Sequence, residues 1–489
     1  MSPFVKILRV PFVSSIFLAA SLLFTDLLEA KAQGQTFNNI AAPDKKGPYD
    51  VGFRLFDNVP ASAGPLPRVQ VFYPTDPIDP NFDPTDCPNT YTIQGVVQGV
   101  VGTYPRSSPL CAIQNATPAA GPFPLIVHDH GGGAAGADQQ RLSQLPVYEL
   151  LASHGFVVVA PRHSPAAVPP DAPGARRVRD LPKVIDFMLD PSKDPLSSSI
   201  DADRIGISGF STGGRTSLAV AGGWATQGIA ADPRVKAMVL YEPGRDNELS
   251  DIATISIPYL IMGGTRFVNG VVTVPEVLDA TVLATPRIYV QHPEAIHFNY
   301  QTDVCSSVDE AREAALLADP TLPEPLTNMT NTTPRVCNTN ITIDPNITDL
   351  TIRANIRAAA LQACNFWNQG EIMFTVLSPL GFAFGGGRNL CPHVGVNSIR
   401  SLDVNPVDGF TDEFAPGTNI RLFEGNDQWD SDASTSESPM LEETIVPMIE
   451  LYTVAFWKKF LEGDGRYMRY LTPGYANTQG LEAVVEIRE

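Results

Sequence analysis

Between Leu125 and Val290 the sequence repeats one alternation: a short, mostly apolar run, then a stretch with helical spacing. The runs are Leu125–His128 (LIVH), Phe156–Ala160 (FVVVA), Arg204–Ser208 (RIGIS), Val235–Leu240 (VKAMVL), Tyr259–Met262 (YLIM) and Arg287–Val290 (RIYV). Helices are expected over Leu142–Ser153, Val178–Leu189 and Thr212–Gly222; in the second, Val178, Leu181, Ile185, Met188 and Leu189 recur at helical spacing. Strands that are apolar on both faces need cover on both faces. A strand–helix–strand rhythm supplies it, so the expected fold is α/β, with a mostly parallel central sheet flanked by helices. Hydrophobic residues make up 43% of the 489 positions and charged residues 18%, enough for a substantial core, which excludes a disordered chain.

The flanks of this rhythm read differently. Residues 1–32 look like a signal peptide. Lys6 and Arg9 form the basic start, Pro11–Phe24 an apolar run too short for a comfortable membrane span, and Ala30-Lys31-Ala32 a small-x-small cleavage site. The expected localisation is therefore secreted or periplasmic, with residues 33–302 as the core and no membrane span after cleavage. Arg68–Pro74 (RVQVFYP) alternates like a strand, and the proline-rich text from there to about Pro124 reads as loop. Residues 303–440 break the rhythm and read as a cysteine-containing insertion, a candidate cap. Residues 441–489 begin with Leu441–Leu461, an amphipathic helix interrupted at most by Pro447 and expected to pack back on the sheet.

Charge and cysteine usage narrow the function classes. Lys and Arg number 34 against 53 Asp and Glu, a net charge of −19, so the field that attracts phosphate backbones is missing and nucleic acid is not an expected partner. The six cysteines, in a chain expected to be exported, suggest disulfides. Proximity favours Cys87–Cys111. Cys305–Cys337 and Cys364–Cys391 are the expected pairs among the later four. The spacings are too wide for a zinc site and contain no C-x-x-C, so no metal is expected there.

The chemistry concentrates at Gly209-Phe210-Ser211-Thr212-Gly213, a G-x-S-x-G set directly after an expected strand and directly before an expected helix. In that setting the serine stands on a tight strand-to-helix turn, and Ser211 is the candidate nucleophile. A serine hydroxyl needs a base. With the order serine, acid, histidine that accompanies this turn, three of the seven histidines qualify: His292, His297 and His393. His292 follows RIYV almost immediately and reads as structural, and His393 lies in the insertion. His297, in a loop past the last expected sheet strand, is preferred. For the acid, the later strand end (Met262–Phe267) has no carboxylate, which leaves Glu242 at the end of VLYE, with Asp246 and Asp251 as competitors. The glycine run His130–Gly133 after LIVH would supply one oxyanion donor, the N–H of Gly132, and Thr212 beside the nucleophile the other.

With these pieces on the page, the chain resembles the α/β-hydrolases related to platelet-activating-factor acetylhydrolase and the bacterial dienelactone-hydrolase-like esterases. The likeness is carried by Gly47–Gly52 (GPYDVG), RVQVFYP, PFPLIVHDHGGG, GFSTGG, the acid ending VLYEP, HFNY at His297, and the closing AFWKKFLEGDGRYMRYL. It spans about Gly47 to His297 plus the C-terminus and leaves 303–440 unaccounted for. It implies an α/β-hydrolase fold and a carboxylic ester hydrolase without metal or organic cofactor, acting on a small-molecule or lipid ester. One departure is that the family usually carries Asp where Glu242 stands.

Other signals are weaker. The acidic loop Glu424–Asp432 lacks the glycine and closing glutamate of an EF-hand, so it reads as solvated loop rather than a calcium site. Sequons stand at Asn115, Asn328, Asn331, Asn340 and Asn346, and the four within 303–440 place the insertion at the surface. The expected function is a secreted serine esterase or lipase-like hydrolase. The rivals are a cutinase-like polyester hydrolase, a chlorophyllase-like esterase, and a non-catalytic binding protein on the same fold.

Overall fold

The computed structural model describes residues 40–62, 64–76, 87, 90–97, 100–131, 141–163, 174–244, 249–264, 274–292, 295, 300–302, 376–378, 381–383, 439–479 and 483–489. All that follows concerns the compact unit Ala42–Glu489. Residues 1–32, Gly132, His297, His393, Cys305, Cys337, Cys364 and Cys391 lie outside the described residues, as does nearly all of 303–440.

The expected strands are all present, each extended at one or both ends: β6 (Phe123–Asp129), β7 (Val157–Arg162), β8 (Ile200–Phe210), β9 (Val235–Tyr241), β10 (Tyr259–Gly264) and β11 (Arg287–His292). They pair in parallel in the order β11-β10-β9-β8-β6-β7. Strands β1 (Asp50–Val59) and β2 (Leu66–Thr75) extend the sheet antiparallel beyond β7, with the two-residue β5 (Ile113–Gln114) parallel on β1. At the opposite edge β14 (Val484–Arg488) pairs antiparallel with β11. Two small pairs stand apart, β3 (Thr90–Val97) with β4 (Val100–Ser107), and β12 (Val376–Ser378) with β13 (Gly381–Ala383).

The β3–β4 pair corrects the loop reading of the stretch before Pro124. Its prolines suggest punctuation, but Thr90, Tyr91, Thr92, Ile93, Val96, Val97, Val100 and Val101 are β-branched or aromatic, and such side chains fit a pleated surface. Cys87–Cys111 is a disulfide beside this hairpin.

Among the described residues the four longest helices that cover the sheet are α1 (Leu145–Ser153), α2 (Ala175–Leu189), α3 (Thr212–Gly222) and α4 (Pro439–Phe460). Alternation along each strand divides the side chains between two layers. Leu125 and Val127 of β6 share one buried cluster with Val178, Leu181, Ile185 and Met188 of α2 and Leu218 of α3. On the other layer Tyr148 of α1 packs beside Phe72 and His128, at ring separations of 5.4 and 5.1 Å. There the fully buried Trp457 of α4 lies where β8 has no side chain: a Cβ on Gly206 would come within 2.4 Å of the indole. Thr453 of α4 also meets the Tyr241 hydroxyl at 3.0 Å.

The chain runs from β6 outward to β7, returns across the sheet to β8 on the other side of β6, and continues away through β9 to β11. The two halves thus diverge between β6 and β8. In sheets of this kind the crevice outside the carboxyl ends of the strands at that divergence is where ligands bind. Asp129 and Phe210 end the two strands there, and the residues that follow them are His130-Gly131 and Ser211.

Candidate active site

Ser211 occupies a conformation that few side-chain-bearing residues adopt, φ 53° and ψ −115°. Such strain costs about 1–3 kcal/mol and persists only where the surroundings impose it. Here they do. The Ser211 N–H donates to Tyr241 O at 2.9 Å, and the Ser211 carbonyl accepts from Arg215 N at 3.1 Å and Gly244 N at 2.8 Å. The neighbouring glycines permit the tight passage: a Cβ on Gly209 would lie 2.2 Å from the Gly213 carbonyl carbon, and one on Gly213 would lie 1.9 Å from the Asp129 oxygen. Thr212 opens α3, so its N–H belongs to the first turn, whose donors have no partner within the helix.

Facing this turn is the strand-end peptide of β6. Gly132 lies outside the described residues, but Gly131 before it touches the Ser211 turn. A Cβ there would fall 3.3 Å from the Ser211 Cβ and 2.5 Å from the Phe210 ring. The loop expected to supply the second oxyanion donor therefore begins against Ser211.

Glu242 follows β9 directly. It too has positive φ, 42°, and only 3% of its surface is exposed. Its N–H donates to Met262 O at 2.8 Å, and its Oε1 lies 3.2 Å from where Gly263 would carry a Cβ, so the carboxylate reaches across the end of β10. Burial first, and the charge of Glu242 second, push the phenols of Tyr289 and Tyr300 upward. Tyr300 stands three residues past His297. His297 itself lies outside the described residues; the chain on both sides of it is held by Ala295 N donating to His292 O at 3.3 Å, and by the Gln144 side chain, which donates to Tyr300 O and accepts from the Thr302 hydroxyl at 2.9 Å. Of the competing acids, Asp246 is outside the described residues. Asp251 accepts from the Ala225 N–H at 3.3 Å, on the loop that follows α3.

The histidines upstream of Ser211 have other surroundings. His128 shares a 2.9 Å hydrogen bond with Ser208, and burial lowers its pKa to about 3, so it is neutral. His163 also precedes Ser211 in the chain. It lies between Asp129 and Asp180, within a buried group that also includes Arg177. The signal available was positional: His163 follows β7 as Asp129 ends β6, so both sit at carboxyl ends of adjacent strands.

A mostly parallel sheet with helices on both faces, a strained serine between strand and helix at the point of divergence, and a buried acid at the next strand end define an α/β-hydrolase fold. Residues 93–243 match the chlorophyllase family model, a span that holds Gly131, Ser211 and Glu242 and stops before His297. The chain is 29% identical over 152 residues to the cutinase est2 of Thermobifida alba, covering 31% of this chain and 46% of that protein. It is 32% identical over 115 residues to cutinase est1 of the same organism, 24% of this chain and 34% of that one. Cutinase 2 of Thermobifida cellulosilytica is 30% identical over 115 residues, 24% and 38% of the two chains. The chain thus spans less than half the length of these relatives. Among the described residues no group of His, Cys, Asp and Glu could hold a metal ion, and no helix is long and apolar enough to cross a membrane.

Proposed function

We propose that this protein is a serine carboxylic ester hydrolase. The observation that carries the reading is the strained turn at Ser211, packed against the Gly131 peptide on one side and hydrogen-bonded to the strand bearing Glu242 on the other. Strain of this kind has no packing purpose, and it lifts the hydroxyl out of the helix that follows. In the proposed reaction the Ser211 oxygen attacks the ester carbonyl while His297 takes its proton. The N–H groups of Gly132 and Thr212 receive the oxyanion. His297 then gives the proton to the leaving alcohol, and Glu242 holds the imidazole and balances its charge. Water repeats the sequence on the acyl-enzyme, releasing the acid and restoring Ser211.

The substrate class we favour is a small or lipid ester of short acyl chain. A second reading, a cutinase-like hydrolase of polyesters, is favoured by the aligned cutinases, and a chlorophyllase-like esterase by the family match. An exported protein, with residues 1–32 as leader, 33–302 as core and 303–440 as an insertion that caps the crevice, fits the sequence pattern.

Labelling with a fluorophosphonate, followed by peptide mapping, tests the nucleophile. The expected adduct is on Ser211 and is absent from Ser211→Ala. No adduct, together with no turnover of p-nitrophenyl esters from acetate to palmitate or of a polyester film, would overturn the hydrolase reading in favour of a binding protein.

A further inference from the structure

The group of charges behind the β6 strand end is absorbed by no step of that mechanism. Asp129, on the last residue of β6, is fully buried; its Oδ1 accepts from His163 Nε2 at 2.8 Å and from Arg177 Nη2 at 2.7 Å. His163 Nδ1 lies 3.4 Å from Asp180 Oδ2, and Asp180 Oδ1 accepts from the Ser62 N–H at 2.8 Å and the Ser62 hydroxyl at 2.5 Å. The same Arg177 Nη2 that meets Asp129 also donates to the carbonyl oxygen of His130.

We propose that the Asp129–Arg177–His163–Asp180 group is a positioning device that holds the His130–Gly131 peptide against the Ser211 turn. The proposal rests on the hydrolase reading above. A peptide unit is planar and trans, so fixing the His130 oxygen also fixes the direction of the Gly131 N–H on its opposite side. The margin is small. Gly131 already stands where a Cβ would be 3.3 Å from the Ser211 Cβ, and Gly213 of the nucleophile turn leaves no room for a side chain against the Asp129 oxygen. An ångström of slack in this peptide would spoil the alignment of the oxyanion donor that follows it, and misplacement of that size costs roughly 100-fold in rate.

The geometry also assigns a charge to His163. Both of its ring nitrogens face carboxylate oxygens, and an ionised carboxylate only accepts, so both nitrogens carry protons. Among the described residues the charged and titratable groups around the ring are Asp129 from β6, His130 from the loop after it (ring centroids 5.6 Å apart), and Arg176, Arg177 and Asp180 from α2. Burial, then Arg177, hold His130 well below its ordinary value, so it is neutral. His163, Arg177 and Arg176, the last 3.9 Å from Asp180, then face Asp129 and Asp180. Burial alone would lower His163, but the charge of Asp129, with hydrogen bonds to both carboxylates, outweighs burial and Arg177 and holds it above its ordinary value. Losing that proton would take from one of the two carboxylates the N–H donor that the ring now supplies beside the peptide.

The test uses the full-length protein with p-nitrophenyl butyrate between pH 5 and 9. Arg177→Lys keeps the charge but gives up the planar fork that meets two acceptors at once. It should lower kcat about 10- to 100-fold while KM changes little, with the thermal midpoint by circular dichroism nearly kept. Asp180→Asn removes one of the two charges that keep His163 protonated, so the alkaline limb of the kcat profile should move to lower pH. A merely structural role would lower the thermal midpoint and leave that limb in place. Unchanged kcat in Arg177→Lys together with a superimposable profile in Asp180→Asn would overturn the proposal. Nitrogen-15 spectra of histidine-labelled wild type give a reading independent of turnover. A doubly protonated His163 at pH 7 supports the device, and a neutral ring there overturns it even if every variant misfolds. Absence of any phosphonate label on wild-type Ser211 would instead sink the hydrolase reading.

Discussion

Two carboxylates, Glu149 under the β3–β4 hairpin and Asp129 at the end of β6, are both excluded from water, yet their proton affinities move in opposite directions. Among the described residues Glu149 accepts from neutral donors, the Tyr91 hydroxyl at 2.8 Å, the Ser108 hydroxyl at 2.8 and 2.9 Å, and the Leu110 N–H at 2.6 Å, and the charge of Arg106 adds a smaller pull. Burial outweighs these and raises its pKa to about 7. Burial also opposes the charge on Asp129, but Arg177 and then His163 outweigh it and hold the group well below its ordinary value. Neutral donors offset only part of the desolvation of a carboxylate, whereas adjacent cations reverse it. The hairpin anchor can therefore do without charge, while the crevice at the strand ends is built around charges that stay.

This contrast predicts that changes in the crevice act on rate and changes elsewhere act on stability. The largest effect belongs to Ser211→Ala, which should lower kcat by ~10⁶-fold with the thermal midpoint unchanged. Ser211→Gly should be equally inactive but more stable by about 1 kcal/mol, because glycine adopts φ 53° without strain; a destabilised glycine variant would show that the turn is not strained. Glu242→Gln keeps shape and loses charge, and should cost ~10⁴-fold in kcat. Glu242→Asp should retain measurable turnover and Asp251→Asn nearly all of it; the reverse ranking would move the acid away from β9.

On the stability side, Trp457→Ala should cost about 3–5 kcal/mol in denaturant unfolding, since the indole fills the place that Gly206 leaves empty. Activity per folded molecule should persist. The smallest effect concerns pH. Glu149 binds its proton more tightly folded than unfolded, so between pH 4.5 and about 7 the folded state holds more protons and stability falls as pH rises, levelling off above that. The total is about 3 kcal/mol at most. Glu149→Gln should flatten that slope relative to wild type; Glu450, raised to about 7 mainly by burial, is present in both and cancels in the difference. Parallel slopes would mean that Glu149 ionises freely in the folded protein.

How far the sequence reaches can be read from where each residue gets its partners. Strands β6 to β11 were legible because burial on both faces leaves a mostly apolar run, a local signal. Ser211 and Glu242 were legible for a related reason, since each stands at the end of such a run. The ends were less certain: α1 begins at Leu145, three residues later than its apolar pattern suggests, with Pro146 in its first turn, and α2 begins three residues earlier than its pattern, after Gly174 with φ 91°. Strand β14 carries only five residues and becomes a strand by pairing with β11 nearly two hundred residues away. No local periodicity announces that.

Taken alone, the sequence determined the layer architecture, the strand-to-helix turn at Ser211 and the place of Glu242 directly after β9, because each follows from hydrophobic period or local turn chemistry. Only the tertiary structure decided that Asp129, His163, Arg177 and Asp180 form one connected group against the Gly131 peptide. It also decided that Trp457 replaces the side chain missing from Gly206. Both depend on residues brought together from distant positions, where Coulomb interaction and packing act through space and leave no pattern along the chain.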